Sequence, residues 1–280
     1  MMREDGAVNR GMETGAFQFR RSVPLRMRLH ETIKITGTTE GLTCLDIGSP
    51  NGALSALLRK QGGRWHSAAL TEDAEASLGA AVDENVHRVT DRTLPFKRKS
   101  FDLVVIFGGL EGFHADENFI EECHRILKPD GRLIVNVHHD KPVSVARGLR
   151  SLLNTIRESP SLDYAGYSES QLFSILKHGF DVHSVRSYSR FFVEFIDCIV
   201  TFILDGLPRD LPETARSVRR VYLVASPFYW LASQLDLLLF FTRGHALVAS
   251  AKRRAWRPRN APVLVDGRSI TEAVLSKAAN

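Results

Sequence analysis

Short apolar runs alternate with amphipathic stretches along much of the chain, and turn-forming residues separate them. Each run has the length of a β-strand, and continuous apolar runs are typical of strands buried on both faces. Between the runs, apolar residues recur at helical spacing, as at Phe119, Ile120 and Cys123. This alternation predicts a parallel sheet with helices on both faces. The predicted strands are 43–47, 64–70, 86–90, 102–107, 132–138, 180–188 and 245–251.

Start and stop signals mark several of the predicted helices. Ser168 and Gln171 form a capping-box pattern before an apolar stripe, and Gly179 supplies the stop. Pro129 and Gly131 follow another helix and predict a turn before the fifth strand. The predicted helices are 17–35 (one helix or two), 52–61, 118–127 and 168–179.

The segment 191–241 interrupts this pattern because it is unusually apolar and stands before the last strand. Its second block, 221–241, is long enough to span a bilayer, but it contains Pro227, Gln234 and Asp236. Two features disfavour a true span: the aspartate, which is costly at the bilayer centre, and the strand directly after it, which must return to the sheet. The pattern favours a lid over a ligand site and leaves a membrane-surface hairpin open. Either arrangement favours an apolar ligand.

Composition and charge narrow the class of protein. An apolar content of 44% and a charged content of 25% are typical of a globular chain. The three cysteines are odd in number and lack metal-ligand spacing, so we expect a reducing, cytoplasmic location and no metal site. The net charge of +5 is concentrated in 20–28 and 252–259, which leaves peripheral membrane association open. No aromatic-interleaved basic motif accompanies it, so we expect no nucleic-acid partner.

The loop after the first strand carries the most specific chemical signal. It reads Asp46-Ile-Gly48-Ser-Pro50-Asn-Gly52 and leads into a helix. A strand, a glycine-containing loop and a helix can hold a nucleotide-like ligand at the carboxyl edge of a parallel sheet. Glycine lets the backbone approach such a ligand, and the helix N-terminus offers N–H groups. An ordinary turn that binds nothing is the alternative for the loop taken alone.

Two later segments agree with the ligand-binding interpretation. They are Leu94-Pro-Phe-Lys-Arg-Lys-Ser-Phe-Asp-Leu-Val-Val and Glu121-Glu-Cys-His-Arg-Ile-Leu-Lys-Pro-Asp-Gly-Arg-Leu-Ile-Val. In this order, the three segments resemble the class I S-adenosylmethionine (SAM) dependent methyltransferases, whose motif I reads Asp-x-Gly-x-Gly-x-Gly. The resemblance covers residues 42–188 well. It implies a doubly wound, mostly parallel seven-stranded sheet of the Rossmann-like methyltransferase fold, with the last strand antiparallel between strands five and six.

The resemblance also implies S-adenosyl-L-methionine as the cofactor and assigns residues to it. These are Asp46, Gly48, Ser49, Gly52, Glu72, Asp91, Phe107 and Gly108. Two positions depart from the family. Pro50 replaces the middle glycine and removes one N–H, and Ala69 stands where the family carries an acid for the ribose hydroxyls. Glu72 could take over that role. These departures keep open a catalytically degenerate binding or scaffold protein with the methyltransferase fold.

Catalysis by such a protein depends mainly on positioning, because methyl transfer from a sulfonium is an in-line displacement. A general base assists when the acceptor is a hydroxyl. The family's Leu-Glu-His segment is altered here, since Gly112 occupies the histidine position. A surface or structural role is the alternative for each candidate base. The candidates are Glu111, His114, His138 and His139.

The predicted organisation is a flexible start (1–16), a SAM-binding core (17–190), a helical insertion or lid (191–244), the last core strand (245–255) and a tail (256–280). The expected function is methyl transfer from SAM to a small-molecule or lipid-like acceptor. The sequence identifies neither the acceptor nor the oligomeric state.

Overall fold

One seven-stranded sheet organises the computed structural model of the chain, which describes residues 14–49, 52–82, 85–89, 93–108, 110, 116–140, 145–156, 166–189, 191–207, 212–239 and 242–256. The strands are β1 (Thr43–Ile47), β2 (Arg64–Ala69), β3 (Val86–Arg88), β4 (Phe101–Phe107), β5 (Leu127–His138), β6 (Phe180–Tyr188) and β7 (Ala246–Arg253). Their order across the sheet is β3-β2-β1-β4-β5-β7-β6. The helices are α1 (14–21), α2 (Val23–Thr36), α3 (Gly52–Arg59), α4 (Glu72–Val82), α5 (Asp116–Ile126), α6 (Val145–Ile156), α7 (Glu169–Leu176), α8 (Phe191–Asp205) and α9 (Pro212–Leu238).

The strand directions confirm the predicted topology. Strands β1 to β5 pair in parallel, whereas β7 lies antiparallel between β5 and β6. Strand β5 begins earlier than predicted, because Leu127 pairs with Phe101 before the register shifts across the predicted turn. In that turn Asp130 adopts a left-handed φ of 64°.

Two cores separate the sheet from its helices. One lies under α5 and α7 and includes Ile47, Ile106 and Leu172. The other lies under α2 and α3 and includes Leu54 and Leu103. The predicted 17–35 helix is two helices, because the Ser22 side chain accepts a hydrogen bond from the Leu25 N–H at 3.4 Å and starts α2.

The apolar segment before the last strand forms two helices with a core of their own. Helices α8 and α9 pack through Val193, Val200, Tyr229 and Ala232. Asp236 near the end of α9 accepts hydrogen bonds from the N–H groups of residues 192 and 193 at 2.8 and 3.1 Å, so it caps the start of α8. Among the described helices, none combines the length and apolar character needed to cross a bilayer.

Candidate active site

Two glycine turns meet at the carboxyl edge of the sheet, where β1 and β4 end side by side. Gly48 and Gly108 both adopt left-handed φ values, of 69° and 71°. The Gly48 N–H donates to the Ala68 carbonyl at 3.2 Å, and the Gly108 N–H donates to the Asn136 carbonyl at 2.9 Å. A Cβ on Gly48 would lie 3.1 Å from the Gly108 carbonyl oxygen and 3.1 Å from Leu70 Cδ1. The two turns are therefore packed closely enough to leave no space for a side chain at 48. We call the backbone surface that they form at the edge of the sheet the cradle, because glycine there lets a ligand approach the backbone closely.

The other predicted residues of these turns contribute differently. Ser49 is buried, as is the Phe107 side chain, which belongs to the core under α2 and α3. Gly52 begins α3, and a Cβ there would lie 2.3 Å from Ala81 Cβ of α4. Its N–H donates to Ser77 Oγ at 3.3 Å. Close packing of α3 on α4 thus accounts for the glycine at position 52, while contact with a cofactor stays a prediction.

Asp46 lies in β1 beneath α3, with a fully buried carboxylate. Its nearest cation is Arg59, whose Nη1 is 3.8 Å from Asp46 Oδ2. The hydroxyls of Ser55 and Ser67 face the carboxylate, yet neither oxygen accepts a hydrogen bond of standard geometry from the described residues. Burial raises the pKa of Asp46, while the hydroxyls and Arg59 oppose that rise. The described neighbours of the carboxylate lie on α3 and β2, and its role toward the cofactor stays a prediction.

The end of β2, beside the cradle, carries alanine where the family has an acidic residue. Ala69 is the last residue of β2 and is fully buried. Glu72 starts α4 with a side chain that is 83% exposed, 3.7 Å from Arg88 Nη1 on β3. This carboxylate is free to reorient, because an exposed ion pair at such a distance is weak. Its predicted role at the ribose stays a prediction.

Three predicted site residues lie outside the described part of the chain, so their roles also stay predictions. They are Asp91, Glu111 and His114. Pro50, which departs from the family motif, also lies outside it.

The two histidines after β5 lie at the same edge of the sheet as the glycine turns. His138 ends β5 half-buried, and its carbonyl accepts the Tyr167 N–H at 2.8 Å. His139 forms a closer connection to the start of β7. Its N–H donates to the His245 carbonyl at 2.9 Å, and its Nδ1 lies 2.7 Å from the Gly244 carbonyl oxygen. A carbonyl only accepts, so Nδ1 carries the proton, and in the neutral ring Nε2 is the basic nitrogen.

A buried polar network that the sequence analysis did not predict lies beside these histidines. The Tyr188 hydroxyl donates to Asn136 Oδ1 at 3.2 Å, and Asn136 Nδ2 donates to Thr32 Oγ1 at 3.1 Å. Arg150 of α6 extends the network to the insertion, because its Nη2 lies 2.5 Å from Glu194 Oε1 of α8. The sequence could have indicated a role for Glu194, because a carboxylate inside a long apolar run needs a polar or charged partner when it is buried.

Asp197 belongs to the same region of α8. It accepts a hydrogen bond of 2.5 Å from the Tyr229 hydroxyl. Burial first, and then the negative charge of Glu194, raise the pKa of Asp197 to about 6, against the effects of the Tyr229 hydroxyl, Arg28 and His138. The sheet edge past β5 is therefore bordered by a carboxyl group, Asp197, whose protonation can change near pH 6.

Comparison with known proteins identifies the domain that carries this edge. Residues 45–135 match the methyltransferase domain family. The ubiquinone/menaquinone biosynthesis C-methyltransferase UbiE of Escherichia fergusonii is 30% identical over 122 residues, which are 40% of this chain and 48% of that protein. The chain thus matches about half the length of this relative.

Solved structures share the fold at low sequence identity. The YcgJ protein of Bacillus subtilis has a TM-score of 0.55 at 18% identity, over 82% of this chain and 99% of its own. Geranyl diphosphate C-methyltransferase from Streptomyces coelicolor, solved with S-adenosyl-L-homocysteine, has a TM-score of 0.54 at 12% identity, over 82% of this chain and 76% of its own. The motifs, the strand order and the family match agree: the chain carries a methyltransferase domain of the class I SAM-dependent family.

Proposed function

We propose that the chain transfers the methyl group of SAM to a small, apolar acceptor. The observation that carries this proposal is the cradle formed by Gly48 and Gly108 at the carboxyl edge of the sheet, inside a domain of the SAM-dependent family. Bound SAM would supply an electrophilic methyl group on its sulfonium. The backbone at 48, 49 and 108 would hold the cofactor, and Asp46 would keep the loop in place.

Two observations support an apolar acceptor. Helices α8 and α9, which follow β6 at this edge, are rich in apolar residues. The matched relative is a C-methyltransferase of ubiquinone/menaquinone biosynthesis, and a fold neighbour is a C-methyltransferase of geranyl diphosphate. These names make a quinone precursor the first acceptor to test. When the acceptor bears a hydroxyl, His139 Nε2 would take its proton, with His138, Glu111 and His114 as the other candidates.

The first experiment measures cofactor binding by isothermal titration calorimetry with SAM and with its demethylated product. We expect dissociation constants in the micromolar range, which correspond to a binding free energy of about −8 kcal/mol. If neither ligand produces binding heat at millimolar concentration, this site is not a SAM site. Transfer of radioactive methyl from SAM into lipid-extractable acceptors then tests the reaction itself.

A second candidate function is a SAM-fold binding protein without turnover. The fully buried Ala69 favours it, because alanine offers no carboxylate to the ribose and Glu72 starts from an exposed position. Binding of SAM without methyl transfer to a broad panel of quinone-like, isoprenoid and phenolic acceptors would support this candidate. Turnover with any member of the panel would remove it.

A further inference from the structure

Helix α9 exposes an apolar face to solvent over most of its length. Among the described residues, seven of the eleven exposed large apolar side chains lie on this helix. Val224, Trp230, Leu237 and Leu238 are each at least 65% exposed. Past Arg220, the only exposed polar residue of α9 is Gln234. So large a concentration of exposed apolar residues is typical of an interaction surface.

The apolar face continues into a groove between α8 and α9. The groove has a volume of about 520 Å³. Its lining includes Ile196, Ile199, Val221 and Phe228, and Arg220 is the one charged residue among the lining residues. The face therefore offers both projecting side chains and a recess that accepts an apolar group.

Arginines surround one end of this face. Arg216, Arg219 and Arg220 are exposed on the first half of α9. Helix α1 adds Arg21, whose Nη1 lies 3.2 Å from Ser226 Oγ of α9. The only acid between 214 and 238 is the α8-capping Asp236, and it is buried. The arginines, with Glu213 as the one acid of α9 before them, thus give this end of the apolar face a net positive charge.

We propose that the α9 face binds the surface of an anionic lipid bilayer, with α9 lying in the plane of the interface. A helix with tryptophan, phenylalanine and leucine on one side and arginines beside them is typical of interfacial binding. The bilayer would accommodate the apolar side chains and pair with the arginines at the same time. A symmetric contact with a second copy would bury the apolar side chains, but the same face would offer these arginines no exposed carboxylate, because the only acid of 214–238 is the buried Asp236. The inference is independent of methyl transfer, because lipid binding requires neither SAM nor an acceptor.

The test is flotation of the full chain with vesicles at low salt, where screening is weak. The vesicles are phosphatidylcholine with phosphatidylglycerol at about 30% of the lipid, compared with phosphatidylcholine alone. We expect the protein to float with the anionic vesicles. Trp230 reports insertion, because it is 65% exposed and its fluorescence should shift to the blue, whereas Trp65 is buried at 3%. Trp230→Phe should remove most of that shift and keep flotation.

Matched variants separate the α9 face from apolar surface in general. Phe228→Ser with Leu231→Ser should weaken partitioning by about tenfold or more, since two side chains lose their burial in lipid. Phe173→Ser removes an exposed phenylalanine from α7, which packs against α5 and β6, and should change nothing. Arg216→Glu with Arg220→Glu should reduce flotation mainly with the anionic vesicles.

Three results would overturn the proposal. The first is protein that stays in the soluble fraction with anionic vesicles at low salt. The second is an equal loss of flotation in the Phe173 and Phe228 variants. The third is sedimentation equilibrium showing a dimer that the Phe228 and Leu231 substitutions dissociate, in a protein that does not float, because a second copy would then cover the face.

Discussion

At the scale of single residues, two glycines with different surroundings test the cofactor cradle. Gly48 has a left-handed φ and no space for a Cβ, whereas Gly79 lies in α4 with nothing within 4 Å of a built Cβ. We expect Gly48→Ala to lower the free energy of unfolding by about 1–3 kcal/mol, from backbone strain and crowding at the Gly108 carbonyl. It should also weaken SAM binding by about tenfold or more, because the cradle must widen.

The matched variant is Gly79→Ala, which should leave SAM affinity unchanged and raise stability by about 0.5–1 kcal/mol through helix propensity. Urea unfolding and calorimetry of the two variants check both effects. Equal SAM affinity in the two variants would show that the turn at Gly48 does not contact the cofactor.

At the scale of elements, one carboxylate of α9 caps the start of α8. Asp236 is buried and accepts two backbone N–H groups at the start of α8. We expect Asp236→Asn to lower the free energy of unfolding by about 1–3 kcal/mol, because the amide has one acceptor oxygen and loses the favourable charge at the helix N-terminus. Gln234→Ala, at an exposed position of the same helix, should stay within about 0.5 kcal/mol of the unaltered chain. Urea unfolding followed by circular dichroism measures both, and equal midpoints would show that this cap contributes nothing.

The elements also show which patterns sequence reasoning can detect. Strands β4 and β5 were predicted because they contain uninterrupted apolar runs, at 103–107 and 133–135. Helix α7 was predicted because Ser168 and Gln171 form a capping box, which the structure contains.

Helices α4 and α6 were not predicted. The sequence of α4 is rich in small residues, which weakens its apolar periodicity. For α6 a signal existed but was not used, because Ser144 stands directly before the helix and serine is favoured at helix N-caps. Leu149, Leu152 and Ile156 also recur at helical spacing and could have revealed α6.

At the scale of the whole molecule, the candidate site divides into a predictable and an unpredictable part. The glycine turns were predictable because a local motif specifies them. The polar network past β5 was not, because its contacts join distant parts of the chain, such as Asn136 to Thr32 and Arg150 to Glu194. A sequence shows that a buried carboxylate needs a partner, but the partner is determined by the packing of α6 on α8.

The burial of Asp197 in this network predicts a pH dependence of the free energy of unfolding. Its pKa is raised from 3.8 to about 6 by burial and by Glu194, so the folded chain holds the proton more tightly than the unfolded chain. Stability from this group is therefore complete below about pH 4 and falls as the pH rises to about 6, by about 3 kcal/mol in total. Asp197→Asn keeps an oxygen for the Tyr229 hydroxyl and removes the ionisation. It should match the unaltered chain near pH 4 and exceed it in stability, by up to about 3 kcal/mol, above pH 6.

Urea unfolding at a series of pH values measures the difference between the two chains. Asp181→Asn, which changes a carboxylate of β6 that is 62% exposed, serves as the control and should run parallel to the unaltered chain. A constant difference between Asp197→Asn and the unaltered chain across the range would mean that the pKa of Asp197 is the same in the folded and the unfolded chain. The Tyr229 hydroxyl, Arg28 and His138 would then stabilise its charge as much as burial and Glu194 oppose it, and the edge past β5 would offer a carboxylate that is ionised at neutral pH.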